Sequence, residues 1–155
     1  NYFVDESVIL AVLLFESQNN YEYFCYKYKT SNKLNKKLTL LFKLYEKIKS
    51  NKNFFKKDLI KNVYLYGSKN IKDTAIIDFF EKSQINLNDF RKLISEIQKI
   101  KIPIFKYDGE YLKKKGMREG ALIGRTLKLI EKEWINNKFQ ISDQTVDKIV
   151  KSQKN

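Results

Sequence analysis

Histidine is absent from this 155-residue chain, and cysteine occurs once, as Cys25. The chain therefore lacks Ser-His and Cys-His nucleophile pairs, the usual imidazole base and a zinc site built from cysteines. One cysteine also cannot form an internal disulfide. Because Cys25 stands among aromatic residues, we expect a packed thiol in a protein of a reducing, cytoplasmic setting.

Glycine and proline are also scarce, with five copies and one copy. Sandwich and barrel folds need many turns, and these two residues are the usual turn formers. Long stretches without them, together with 43% apolar residues, favour helices around a hydrophobic core. The sequence therefore predicts an all-α fold of several helices, with no catalytic β-sheet domain.

No apolar run is long enough to cross a bilayer. The run at residues 8–15 follows Asp5 and Glu6 instead of a basic segment, and a spanning helix needs about 20 apolar residues. We therefore expect a core helix here and no membrane partner. Because the chain begins at Asn1 and not at a methionine, we also expect that something upstream has been removed.

Acidic residues are few beside the basic ones. Thirty-one Lys and Arg against 18 Asp and Glu give a net charge of +13, a balance typical of proteins that bind polyanions. A merely solvated surface stays open as the alternative, because Lys here accompanies abundant Asn, Ile, Phe and Tyr, which all have A/T-rich codons. The three arginines, Arg91, Arg118 and Arg125, are less subject to such drift.

Apolar periodicity and capping residues predict the helices. Ser31 and Asn32 offer an N-cap for a long helix, whereas Pro103 ends helical structure and begins an extended connector. We place a boundary there, between a helical body at residues 1–101 and a helical tail at residues 102–155. The predicted helices cover residues 6–17, 21–28, 32–49, 58–66, 71–81, 90–100 and 119–136.

The last predicted helix has an apolar stripe. Ile123, Leu127, Ile130 and Trp134 follow one another at intervals of four, three and four residues. This spacing places them on one face of an α-helix. We expect that face to be buried.

A basic stripe accompanies the apolar one. Arg118, Arg125 and Lys132 recur every seven residues, and Lys128 lies between the last two. A helix start presents unpaired amides, so Gly120 and these cations are candidates for binding phosphates of a nucleic-acid backbone. The candidate RNA-phosphate-binding residues are Lys113, Lys114, Lys115, Arg118, Gly120, Arg125, Lys128 and Lys132.

A purely structural interpretation of the same segment stays open. Gly116 can end a helix, and Gly120 and Gly124 can permit close packing of helices. The cations would then be solvated side chains without a ligand.

The spacing of residues in this segment is distinctive. The positions concerned are Pro103, Gly109, Leu112, Gly116, Gly120, Ile123, Gly124, Leu127, Glu131, Trp134, Ile135 and Phe139. In order and spacing they resemble the C-terminal signature of the bacterial and mitochondrial type of CCA-adding tRNA nucleotidyltransferase and of its poly(A) polymerase relatives. The segments at residues 31–38 and 64–77 are similar to two less specific motifs of that family. The chain departs from the family pattern at Tyr111, where Asp is usual.

The resemblance implies a function shared between domains. The family has a catalytic head followed by neck, body and tail helices, and this chain would be the body and tail. The implied partners are tRNA or another RNA, and a catalytic head in cis. Magnesium and a nucleoside triphosphate would bind only in that missing head, because no Asp-x-Asp pair follows Gly67 and Ser68 here. The resemblance therefore implies no catalytic residue, metal or cofactor in this chain.

A second hypothesis comes from a different functional class. Aromatic residues are concentrated before the long helix, and an aromatic-rich surface can dock a partner protein. The chain would then be a helical protein-interaction domain without an RNA role. The residues concerned are Tyr21, Tyr23, Phe24, Tyr26 and Tyr28.

Overall fold

The computed structural model describes residues 4–15, 20–82 and 86–154. Every regular element within these residues is an α-helix, which confirms the predicted all-α fold. The chain forms two compact units, Asn1–Ile102 and Pro103–Asn155. We refer to them as unit 1 and unit 2.

Six described helices belong to unit 1. The long helix is capped as predicted, because the Leu34 amide donates to Oγ of Ser31 at 3.2 Å. Residues 16 and 17, the predicted end of the first helix, lie outside the described residues. The helices are α1 (Glu6–Leu14), α2 (Asn20–Lys27), α3 (Asn32–Ser50), α4 (Leu59–Tyr66), α5 (Ser68–Glu81) and α6 (Leu87–Lys99).

The core of unit 1 forms around α5, which packs against α1, α3, α4 and α6. On α3, Leu38, Leu41 and Leu44 are fully buried, and they recur at the spacing that lines one face of a helix. Burying each such side chain contributes about 1.5–3 kcal/mol. The leucine spacing in the sequence predicts this inner face of α3, and the structure confirms it at these positions.

A buried ionic contact joins α3 to α5. Nζ of Lys37 lies 2.6 Å from Oδ2 of Asp73 and 2.6 Å from Oδ1 of Asn70. The Lys37 and Asp73 side chains are 20% and 10% exposed. Lys37 lies within one of the two weaker motif segments and Asp73 within the other, so the structure gives both residues a role in helix packing.

Phe80 corrects one sequence prediction. Its position on α5 predicts an inward side chain beside Ile76 and Ile77, but Phe80 is 63% exposed whereas both isoleucines are buried. The prediction is wrong because α5 is nearly at its end at Phe80, and the packed helices leave a groove of about 470 Å³ there. Among the described residues that line this groove, Arg91 of α6 is the charged one.

Unit 2 contains three described helices, of which only α8 is predicted by the sequence. They are α7 (Gly109–Lys114), α8 (Ala121–Asn136) and α9 (Asp143–Lys154). The core lies between them and includes Leu112, Met117, Ile130, Val146 and Val150. Short or polar helices such as α7 and α9 take most of their stability from tertiary packing, so local periodicity does not reveal them.

Gly116 ends α7 in a Schellman motif, as the structural interpretation of the sequence expects. Its φ is +81°, its amide donates to the carbonyl of Lys113 at 2.8 Å, and the next amide, of Met117, donates to Leu112 at 3.0 Å. Leu112 and Met117 also meet in the core, which is the apolar contact that accompanies this motif.

The end of α8 shares the longer of these two hydrogen bonds and a left-handed residue, but has no glycine there. The Phe139 amide donates to the carbonyl of Trp134 at 2.7 Å, and the two rings are 5.0 Å apart. Lys138 takes the left-handed position, with φ of +55°. A side chain with a Cβ is strained in this conformation.

Opposite stability changes are therefore expected at these two helix ends. Gly116→Ala should lower the free energy of unfolding by about 1 kcal/mol, and Lys138→Gly should raise it by several tenths of a kcal/mol. Urea unfolding followed by fluorescence of Trp134, the only tryptophan, measures both. Equal signs for the two substitutions would contradict this account.

Candidate nucleic-acid interface

The apolar stripe predicted for α8 faces the core of unit 2. Ile123, Ile130 and Trp134 are buried, and Leu127 is partly buried against the same core. The Trp134 ring lies 5.3 Å from that of Phe105. These contacts confirm the stripe and determine which side of α8 meets solvent.

The solvent side of α8 is basic. Arg125, Lys128 and Lys132 are exposed, and at about 100° per residue they lie within an arc of about 60° opposite the buried stripe. From Arg125 to Lys132 the helix rises about 10 Å. Among the described residues, none of the three has an ion-pair partner. We call these three residues the basic face.

Arg118 does not belong to this helix. The structure begins α8 at Ala121, whereas the sequence prediction begins at residue 119, so the seven-residue repeat of Arg118 with Arg125 does not lie on a single helix. Arg118 is exposed in the segment between α7 and α8, and Lys114 is exposed at the end of α7. Local periodicity extends the predicted helix too far because glycine at position 120 takes a conformation that the pattern does not encode.

Lys113 and Lys115 are held by carboxylates. Nζ of Lys113 lies 3.0 Å from Glu110 and 3.3 Å from Glu119, and the hydrogen bond to Glu110, followed by that to Glu119, raises the pKa of Lys113. Nζ of Lys115 lies 2.8 Å from Asp147 of α9, and this hydrogen bond raises the pKa of Lys115. Both lysines are less available to a phosphate than the three cations of the basic face. Ion pairs at such exposed positions are nevertheless weak.

Gly120 forms the start of α8. Its φ and ψ of 141° and −171° belong to a region that only glycine occupies readily. No side chain caps the helix at this position. Among the first amides of α8, that of Ile123 donates to the carbonyl of Gly120 at 3.1 Å. A phosphate oxygen is the type of group that binds amides at such a helix end.

The surroundings of Gly124 contradict the interpretation that Gly120 and Gly124 permit close packing of helices. An added Cβ at Gly124 or at Gly120 would meet no atom within 4 Å, so neither glycine allows another helix to approach closely. Gly124 is exposed one turn before Lys128. A ligand backbone that crosses the basic face would find no side chain in its way at this point.

Unit 1 has a second concentration of lysines, on α3. Lys33, Lys36 and Lys43 are exposed, and within the described part of the chain they have no carboxylate partner. Lys37 differs, because it is held by Asp73. The lysines of α3 thus divide into exposed cations and cations that other side chains hold, which include Lys47 and Lys49.

Gly67 and Ser68 form a junction between two helices. Gly67, with φ and ψ of 81° and 146°, ends α4, and α5 begins directly at Ser68. Within the described ranges, no three Asp, Glu or Cys side chains come together in a way that could hold a metal ion. Among the helices of those ranges, none is both long and apolar enough for a membrane span.

No protein-family model, curated protein or solved structure matches this chain. The resemblance to CCA-adding enzymes, which rests on the residues between Pro103 and Phe139, therefore stays a prediction. The same holds for the partners, the cofactors and the compartment.

Proposed function

We propose that this chain is the RNA-binding body and tail portion of a cytoplasmic tRNA nucleotidyltransferase of the CCA-adding type, or of a poly(A) polymerase. It positions the 3′ end of the RNA for a catalytic head that lies outside this chain. The observation that carries the proposal is the basic face of α8, which is exposed and, within the described part of the chain, has no carboxylate partner.

The chemistry suits recognition of a sugar-phosphate backbone. Arg125 can bind a phosphate in a forked, two-point contact, and Lys128 and Lys132 act as point charges along the same helix. A-form RNA hides its base edges in a deep, narrow groove, so proteins recognise it mainly by shape and backbone contacts. The proposed binding therefore depends mainly on charge and discriminates little between bases.

The family assignment is supported by the signature residues between Pro103 and Phe139. Among them, Leu112, Ile123 and Trp134 belong to the core of unit 2, and Gly116 and Gly120 take backbone conformations that favour glycine. These are physical reasons for the residue types in the signature.

Titration of tRNA binding against salt tests the proposal. Five exposed cations that have no ion-pair partner among the described residues predict a log-log slope of about −3.5 to −4.5, since each phosphate contact contributes about −0.7 to −0.9. They are Lys114, Arg118, Arg125, Lys128 and Lys132.

The variant Arg118→Ala with Arg125→Ala is expected to weaken tRNA binding about tenfold or more and to reduce the salt slope by about 1.5. Both side chains are exposed, so helicity measured by circular dichroism should stay at the parent value. An unchanged gel-shift affinity would remove the assignment. Magnesium-dependent addition of CMP or AMP by the pure chain would contradict the division between body and head.

The alternative of a protein-interaction domain keeps some structural support. Tyr21 is buried, so it is not part of the aromatic surface predicted from the sequence. Tyr23, Tyr26 and Tyr28 are exposed. Apolar contact with a partner protein would weaken little as salt rises, whereas backbone binding of RNA would weaken steeply. The salt titration therefore also separates the two functions.

A further inference from the structure

The outward face of α2 carries aromatic rings where a surface helix ordinarily has charged side chains. Tyr23 and Tyr26 are 62% and 83% exposed, and Tyr28, directly after the helix, is 62% exposed. The other side of α2 meets the core of unit 1 through Tyr21 and Cys25. Tyr23 and Tyr26 therefore contribute little to folding.

A lysine lies between two of these rings. Nζ of Lys27 is 5.7 Å from the ring centroid of Tyr23 and 5.7 Å from that of Tyr28, which is within the range of cation–π attraction. Lys29 follows and is exposed. Among the described residues, neither lysine pairs with a carboxylate.

The backbone holds this group in place. The Thr30 amide donates to the carbonyl of Cys25 at 3.2 Å, and Lys29 takes the left-handed conformation with φ of +48°. This hydrogen bond closes α2 in the manner of a Schellman motif. Tyr28 and Lys29 therefore occupy positions defined by the end of the helix.

The surroundings of the rings are strongly basic. Residues 20–45 contain six lysines and one acidic residue, Glu22, whose carboxylate accepts a hydrogen bond from the Tyr21 hydroxyl at 3.2 Å. Lys27 and Lys29 are the exposed lysines nearest to the rings along the chain. The charge of this surface is complementary to that of a polyanion.

The alternation of rings and cations matches one kind of polyanion. A single-stranded nucleic acid alternates flat bases with phosphates, and its bases are free to stack on aromatic side chains. In a duplex the bases are already stacked on one another, so a duplex offers mainly its phosphates. Proteins that bind single strands combine stacking rings with a positively charged path.

We propose that the outward face of α2 binds an unpaired segment of RNA. Bases stack on Tyr23 and Tyr26, with Tyr28 beside them, and Lys27 and Lys29 bind the adjoining phosphates. The choice of RNA over DNA rests on the proposed function, whereas the stacking surface rests on unit 1 alone.

Binding of a short, labelled oligouridylate to the full chain tests the proposal, with a blunt RNA duplex of the same length as the comparison. The variant Tyr23→Leu with Tyr26→Leu keeps apolar side chains but removes the rings. It should bind the single strand at least about tenfold more weakly, given the usual contribution of stacked bases. Its duplex affinity should equal that of the parent.

The matched control is Tyr23→Phe with Tyr26→Phe, which keeps the rings and loses only the hydroxyls. It should retain single-strand affinity to within about twofold. If the double leucine variant fails to fold, Tyr26→Leu alone should show a loss of about fivefold, because Tyr26 is the most exposed of the three rings. Photocrosslinking of 5-iodouridine in the oligonucleotide should modify Tyr23, Tyr26 or Tyr28.

Three results would overturn the proposal. They are single-strand affinity unchanged in the leucine variant, equal losses in the leucine and phenylalanine variants, and no binding of oligouridylate by the parent at low salt. The last result would favour a partner protein as the ligand of the exposed rings. Failure of the proposed function is separate, because it would appear as unaltered duplex and tRNA binding after changes to Arg118 and Arg125.

Discussion

Reversing the charge of the basic face, by Arg125→Glu with Lys128→Glu and Lys132→Glu, is expected to lower tRNA affinity about 100-fold or more at low salt. Each substitution removes one phosphate contact with its release of counterions, and each adds repulsion. The three side chains are exposed on the solvent side of α8, opposite Ile130, which is fully buried. The fold of unit 2 should therefore tolerate the change, and the salt slope should become markedly shallower.

A control variant with the same change in total charge distinguishes the effect of the basic face from the effect of net charge. Lys138→Glu with Lys148→Glu and Lys151→Glu alters three exposed lysines of the same unit and changes the total charge by the same amount. If binding depends on the basic face, this control should lose about tenfold or less, because it alters only the long-range field. Equal losses for the two triple variants would show that bulk charge, and not α8, determines affinity.

Breaking the ion pair inside unit 1 should give the largest change in stability. Asp73→Ala is expected to lower the free energy of unfolding by about 3 kcal/mol, because it leaves the Lys37 ammonium largely buried without its carboxylate. Oδ1 of Asn70 remains as a neutral acceptor, 2.6 Å from Nζ of Lys37. Urea unfolding followed by far-ultraviolet circular dichroism measures the loss.

Two further variants show whether burial is the cause. Asp89→Ala removes a carboxylate from an exposed pair with Lys92, at 3.8 Å, and should cost about 0.5 kcal/mol or less. Asp73→Leu combined with Lys37→Met removes both buried charges and should recover much of the stability lost in Asp73→Ala. A cost for Asp89→Ala as large as that for Asp73→Ala would contradict the role given to burial.

The ion-pair partners of individual lysines are a part of the structure that the sequence does not predict. Lys113 and Lys128 belong to one predicted phosphate-binding set, but Lys113 lies between Glu110 and Glu119 whereas Lys128 has no such partner among the described residues. Glu110 and Lys113 are three residues apart, and they pair because α7 is a helix, which tertiary packing decides. The pairing of Lys115 with Asp147 joins α7 to α9 and is not predictable, because α9 itself has too weak a local pattern.

The sequence alone determined the properties that depend on near neighbours along the chain. The scarcity of Gly and Pro indicated an all-α protein, Ser31 marked the start of α3, and the four-three-four spacing on α8 predicted its buried side. Only the tertiary structure decided that α9 is a helix, that Phe80 is exposed and that Gly124 faces open space. These depend on packing between segments distant in sequence, and a local pattern carries no information about which distant surface covers a given side chain.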